Sequence, residues 1–230
     1  MKKLNIILGT FLFAVLLLTS CKDESGEFAE QLYTNAQKET AIRACLRASA
    51  DTAVAHLFTK DGFYGDDDYR IDFPVLQPSL FDTLENHGFG YLGDSLILYA
   101  NRMAEDFGSQ MKSALKAAID SLDITNYDAL INGEDYAITA YFELHKYLSL
   151  KSALQLPVSI RMGIFKVNST WNEMMQRYVQ YAAVPLNFDL QNYLVEQLLT
   201  ATLTEMRIEE QLIRLDPDRH RTAEMDVFGK

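Results

Sequence analysis

Apolar residues recur every three or four positions along most of this chain, a period that predicts helix almost throughout. Over residues 36–58 the stripe is Ile42, Leu46, Ala53 and Leu57. After Gly93 a longer one runs through Leu96, Ala100, Met103, Phe107, Met111, Ala114, Ala118 and Leu122, with Asp94 placed to cap a single helix down to Leu122. A third helix is predicted over residues 189–215 on Leu199, Leu203, Met206 and Ile213. Asp216-Pro217-Asp218 ends it, because proline lacks a donor and biases its predecessor away from helix. Shorter helices are expected over 126–131, 134–148, 149–165 with an interruption at Pro157, and 170–181 capped by Ser169 or Thr170. The exception is 61–74, where Gly62, Gly65 and the run Asp66-Asp67-Asp68 mark a loop that closes on a short extended segment, 69–74. No internal repeat is visible. The expected fold is all-α: a single-domain bundle of about seven helices with one long loop.

The N-terminus has a different pattern. Lys2 and Lys3 precede an apolar run from Ile6 to Leu18, then Thr19 and Ser20, then Cys21. The run is too short for the ~20 residues of a membrane span and is followed at once by Lys22, Asp23 and Glu24, so it reads as an export signal. With Cys21 at its end it resembles a bacterial lipoprotein signal. That resemblance implies lipidation of the Cys21 thiol and cleavage just before it. Residues 1–20 are then a signal peptide, 21–30 a lipidated N-terminus and polar tether, and 31–230 the helical domain. At ~0.8 kcal/mol per buried methylene, two acyl chains suffice as the anchor. Cys-Lys-Asp-Glu also resembles an acidic post-cysteine signal for display on the outer face of the outer membrane; surface and periplasm-facing positions both stay open.

Charge narrows the partners. Taking Lys2 and Lys3 from the 21 basic residues leaves 19 against 32 acidic ones, a mature net charge of −13. A chain with neither a basic excess nor a basic run is unsuited to a phosphate backbone, and no nucleic-acid partner is expected. The expected partners are the membrane, through lipid, and an envelope protein or small ligand. If Cys21 is acylated, Cys45 has no disulfide partner; on the apolar side of its helix with Ile42, Ser49 and Ala53, it reads as a buried thiol.

Several short pieces follow one another along the chain: Asp61-Gly62-Phe63, Ile71-Asp72-Phe73-Pro74, Asn101-Arg102-Met103-Ala104-Glu105, Asp128-Ala129 with Gly133, and Thr139 with Tyr141. The stretch from Tyr193 to Leu199 follows, then Glu210 with Ile213-Arg214 and Pro217, and last Thr222 with Val227-Phe228-Gly229. No one piece is specific, but the ordered set resembles domain of unknown function 4197, a family of exported bacterial proteins. The resemblance implies a mostly helical exported protein and assigns no reaction. Two departures are Gly133-Glu134, where that family often doubles the glycine, and Ile138, where a small residue is usual.

The polar members of these pieces are the candidate site. Glu210 and Arg214 are one helical turn apart, as are Arg102 and Glu105, and with Arg221 they are expected to form a polar network or ligand site. Fixing helix register is its favoured role; holding an anionic or polar ligand through Arg102 and Arg214 is the alternative. Other chemistry is thin. His56, His87, His145 and His220 are scattered, and the triple-Asp loop lacks EF-hand spacing, so no metal or cofactor is expected. Ser113-Ala114-Leu115-Lys116 matches an SxxK string but no companion motif follows. Trp171, Tyr178 and Tyr181 read as core before they read as a ligand groove. The expectation is a lipid-anchored envelope protein of unknown molecular function, a binding or structural module more than an enzyme. The alternative is a hydrolase or other enzyme with a carboxylate site built from Glu105 and Glu210.

Overall fold

A computed structural model describes residues 33–182, 186–220 and 222–228. The predicted signal peptide and tether, with Cys21, and the candidate Arg221 lie outside the described residues. Helix α1 (Asn35–Leu57) begins with a capping box: the Thr34 hydroxyl accepts from the Gln37 amide at 3.3 Å, and the Gln37 side chain accepts from the Thr34 amide at 2.9 Å. After the long loop come a 3₁₀ turn (Pro74–Leu76), a π-helical turn (Gln77–Phe81) and α2 (Asp82–Asn86). Then follow α3 (Tyr91–Glu105), α4 (Gly108–Asp120), α5 (Tyr127–Ile131), α6 (Ala137–Ile164), α7 (Val167–Tyr178) and α8 (Leu190–Leu215). Two 3₁₀ turns close the described chain, Pro217–His220 and Ala223–Phe228. Among the described residues there is no strand, as the all-α expectation requires.

Helices α1, α8, α6 and α4 pack in a ring, each against the next, and the last turn of the chain lies on α1. Helices α2, α3 and α7 form a second group joined to the ring through α6. The predicted stripe of α1 is fully buried, as are Leu199, Leu203, Met206 and Ile213 of α8. The α8 start is capped by Asp189, which accepts from the Asn192 amide at 2.9 Å.

Four sequence expectations are corrected. The long helix after Gly93 is two helices broken at Phe107. Periodicity could not show the break, because Met103, Phe107 and Met111 on both sides bury into one core. The cause is tertiary: a Cβ on Gly108 would lie 2.9 Å from the Phe58 Cβ, so at the bend the backbone packs directly against the end of α1. Second, Asp94 sits within the first turn of α3, which starts at Tyr91, and acts on the helix dipole rather than as the cap. Third, the helices expected over 134–148 and 149–165 are one helix of 28 residues that runs uninterrupted through Pro157. Proline removes one bond and costs ~3 kcal/mol in a helix interior, but Leu150, Leu154, Val158 and Met162 bury both halves on the same core at ~1.5–3 kcal/mol each. Fourth, α7 starts at Val167 behind Lys166, whose φ of 63° is left-handed, so Ser169 and Thr170 lie in its first turn.

The extended segment at the end of the loop is present but pairs with no strand. Asn101 of α3, fully buried, takes that role: its side chain accepts from the Ile71 amide at 2.8 Å and donates to the Ile71 carbonyl at 2.9 Å. Ile71 and Phe73 are thereby held in the core. The loop leaves α1 with no room to spare, since a Cβ on Gly62 would lie 2.3 Å from the Leu57 carbonyl oxygen. Gly62→Ala should therefore displace backbone and cost about 2–4 kcal/mol in chemical denaturation; an unchanged midpoint would contradict that packing.

Candidate functional site

The polar chemistry of this domain converges on α8. On its buried side, beside Thr202 and Met206, it carries three carboxylates: Glu205, Glu209 and Glu210. A buried carboxylate is costly unless charge and hydrogen bonds compensate it, so their partners define the site.

Glu210 is completely buried. One carboxylate oxygen accepts from the Ile138 amide at 2.9 Å and the other from the Thr139 amide at 2.6 Å, so Glu210 caps the start of α6 from another helix. Tyr136 and Ala137 at that start supply no side-chain cap of their own. Arg214, one turn along, donates to Glu210 through Nε at 3.0 Å and Nη2 at 2.7 Å. Its two terminal nitrogens also reach the carbonyls of Ile131 and Leu130, each at 2.7 Å, the last residues of α5. The guanidinium lies 5.4 Å from the Phe228 ring. One buried ion pair thus holds both ends of the turn between α5 and α6. That turn is tight, with a Gly133 Cβ position only 2.5 Å from the Ala129 carbonyl oxygen.

Arg102 and Glu105 serve a second junction. Glu105 accepts from Arg102 at 2.6 Å and from the Tyr64 amide at 3.0 Å, while Arg102 also pairs with Asp61 at 2.8 Å. Arg102 and Arg70 both lie about 5 Å from the Tyr64 ring centre. The guanidinium of Arg102 is held more firmly protonated by bonds to Glu105 and Asp61. The expected four-charge network is therefore two separate pairs: Arg102–Glu105 pins the long loop, and Glu210–Arg214 pins the α5–α6 turn.

Two clusters were missed from the sequence. Glu205 takes the Tyr69 hydroxyl and, at 3.0 Å, His56 Nδ1, whose other nitrogen lies 3.9 Å from Asp66. Burial, then the bond to Glu205 and the nearby acids, pushes the Tyr69 hydroxyl well above its ordinary range. Glu209 binds Arg219 and His220, each at 2.7 Å, tying the 3₁₀ turn after α8 back onto it. The available signal was register. Glu209 falls three positions after Met206 and four before Ile213, on the face that apolar spacing marks as buried, and Glu205 is one turn before Glu209.

The remaining candidates have ordinary settings. His145 lies against Tyr141, with ring centres 4.2 Å apart, and His87 stacks on Tyr181 at 3.8 Å. Ser113 is exposed and Lys116 pairs with Asp120 at 2.5 Å, so the SxxK string faces solvent. Trp171 is half-buried against Phe188, and Tyr178 is core. Asp67 and Asp68 are exposed, and among the described residues no three His, Cys, Asp or Glu side chains converge on a metal-sized site. A groove of about 220 Å³ between α1 and α4 and one of about 350 Å³ beside the chain's last turn are lined by neither Glu105 nor Glu210.

Fold and site together define an all-helical domain whose buried charges hold backbone junctions. The model of a protein family of unknown function, DUF4197, matches residues 32–229, and the chain belongs to that family. No curated protein and no solved structure matches it.

Cys45 gives a readout of this site. Burial first, and the nearby Glu210 carboxylate second, push its thiol far above the ordinary range, so it is inert while the core is closed. Arg214→Met removes the counter-charge of a buried carboxylate and orphans two carbonyls. It should cost about 3–5 kcal/mol and speed Cys45 labelling by a thiol reagent in proportion. Wild-type stability and labelling in that variant would contradict the assigned role.

Proposed function

We propose that this chain is a lipid-anchored envelope protein whose helical body is a binding or structural module rather than a catalyst. The observation that carries the second half is the state of Glu105 and Glu210. A catalytic carboxylate needs a cleft, a free lone pair and a proton to exchange with substrate. Glu210 is closed off from solvent and accepts from two backbone amides and a guanidinium, and Glu105 is committed to Arg102 and the Tyr64 amide. Each acts at a different junction, which weighs against a hydrolase or other enzyme built on the pair. Such an arrangement suits a domain whose task is to present a fixed surface.

Attachment rests on the N-terminal pattern. The acylated Cys21 is the anchor in this reading, and the acidic body is repelled from anionic headgroups. Among the described residues no helix is long and apolar enough to cross a membrane, which leaves the lipid as the proposed means of attachment. The protein then sits on the outer membrane, facing the periplasm or the exterior.

Metabolic labelling with a palmitate analogue tests this directly. The wild-type chain should take up label and co-sediment with outer membrane, while Cys21→Ser should do neither. An unlabelled wild type, or a Cys21→Ser chain that stays with the membrane, would overturn lipid anchoring. Protease treatment of intact cells then reads the face: digestion before lysis means surface display, and digestion only after lysis means the periplasm.

A further inference from the structure

Helix α6 is packed on α8, α4 and α7, yet among the described residues nothing covers its outer face. Leu144, Leu148, Leu156, Ile160 and Ile164 are 80, 79, 70, 55 and 62 % exposed. They stand four residues apart, with Ser152 filling the gap, and so form one continuous i±4 ridge about 30 Å long. In the row beside it the exposed Ser149 and Ala153 are small, so the middle of the ridge stands above a short furrow. None of the residues that α6 exposes is Asp, Glu, Lys or Arg. Its charged residues are turned to the flanks and bound there: Glu143 to Arg207, Lys146 to the Ser121 carbonyl, Lys151 to Glu196, and Arg161 to Asp106.

We propose that this face is the interface of a two-fold homodimer, with the α6 ridge of one copy seated in the furrow of the other. Three observations select a second copy as the occupant. The first is charge. Two copies of a chain with 32 acidic residues repel wherever carboxylates meet, and the α6 face is a surface on which they do not. The second is shape. A ridge lying beside its own furrow is self-complementary, as a two-fold contact requires, and i±4 rows interlock at a crossing angle of about −50°. The third is area. Weighted by their exposure, the five side chains offer at most roughly 650 Å² per copy, about 1,300 Å² for the pair, which reaches the lower end of the ~1,200–2,000 Å² of a stable interface once the residues flanking the ridge join the contact. A lipid surface is the poorer fit. A helix lying in a headgroup layer needs Lys or Arg along its edges, and Lys146, Lys151 and Arg161 are bound to the protein's own body.

The test is site-directed cross-linking of the full-length chain in native membranes with a short bis-maleimide. Ser152→Cys, mid-ridge, should yield a band of twice the mass. Ser109→Cys, exposed on α4, should not, and native Cys45 is buried in both variants. Adding Leu148→Asp and Leu156→Asp to Ser152→Cys should lower the cross-linked fraction by at least about tenfold, since like charges then face each other across the axis. Far-ultraviolet circular dichroism checks that this variant keeps its helices. Equal cross-linking at positions 109 and 152, or a band that survives both aspartates, would overturn the proposal. So would a Ser152→Cys thiol shielded from aqueous maleimide yet not cross-linked, which would place the ridge against lipid or a different protein.

Discussion

The buried pair Glu210–Arg214 is the constraint on which the rest of this domain depends. Helix α8 lies between α1 and α6, and from its buried side this pair caps the first amides of α6 and the last carbonyls of α5. Removing a carboxylate from water is unfavourable by several kcal/mol, and an ion pair alone seldom offsets that. Here the geometry adds backbone donors at a helix N-terminus and backbone acceptors at a helix C-terminus, each facing the charge its dipole favours. The pair is less a source of net stability than a statement of register. Sliding α8 by one turn would strand a charge and four backbone groups at once.

The same logic repeats at the other junctions. Glu209 draws the turn after α8 back through Arg219 and His220, and Glu205 reaches the long loop through Tyr69 and His56. Asn101 and Glu105 of α3 hold that loop from its other side, at Ile71 and Tyr64. Three acidic residues on the buried face of one helix thus each fix a neighbouring segment: the long loop, the turn after α8 and the α5–α6 turn. Uniqueness of the loop comes from polar pairing, and the energy of the core from apolar burial. A long loop in a compact domain is commonly functional, but this one is pinned at three points by buried groups, which argues for shape over motion.

How much of this was legible in the sequence follows from which forces have a period. Helices α1 and α8 could be read because their apolar stripes repeat, and the ends of α5 and α8 because Asn132-Gly133 and Pro217 follow them. The break at Phe107 and the continuity through Pro157 could not, since both are decided by tertiary packing that leaves the apolar period intact. Arg102 with Glu105 and Glu210 with Arg214 were visible as pairs one turn apart. Their partners were not, because backbone amides and carbonyls have no signature in a side-chain pattern. Glu205 and Glu209 carry a weaker signal, the register of Glu209 one turn from Met206 and Ile213. Several of the short pieces that carried the resemblance lie at these junctions: Gly62 at a close approach, Asn101 and Glu105 against the loop, and Thr139 and Glu210 at the α6 start.

The central claim, that a side chain of α8 closes the start of α6, is tested most directly by native-state hydrogen exchange at two amides. Ile138 and Thr139 sit in the first turn of a helix, where amides lack helical partners and ordinarily exchange quickly. Bound to a buried carboxylate, they are predicted to exchange only through global unfolding, as slowly as the core amides of α8, and to lose that protection in Glu210→Gln. Exchange at the rate of a frayed helix end in the wild-type protein would contradict the account.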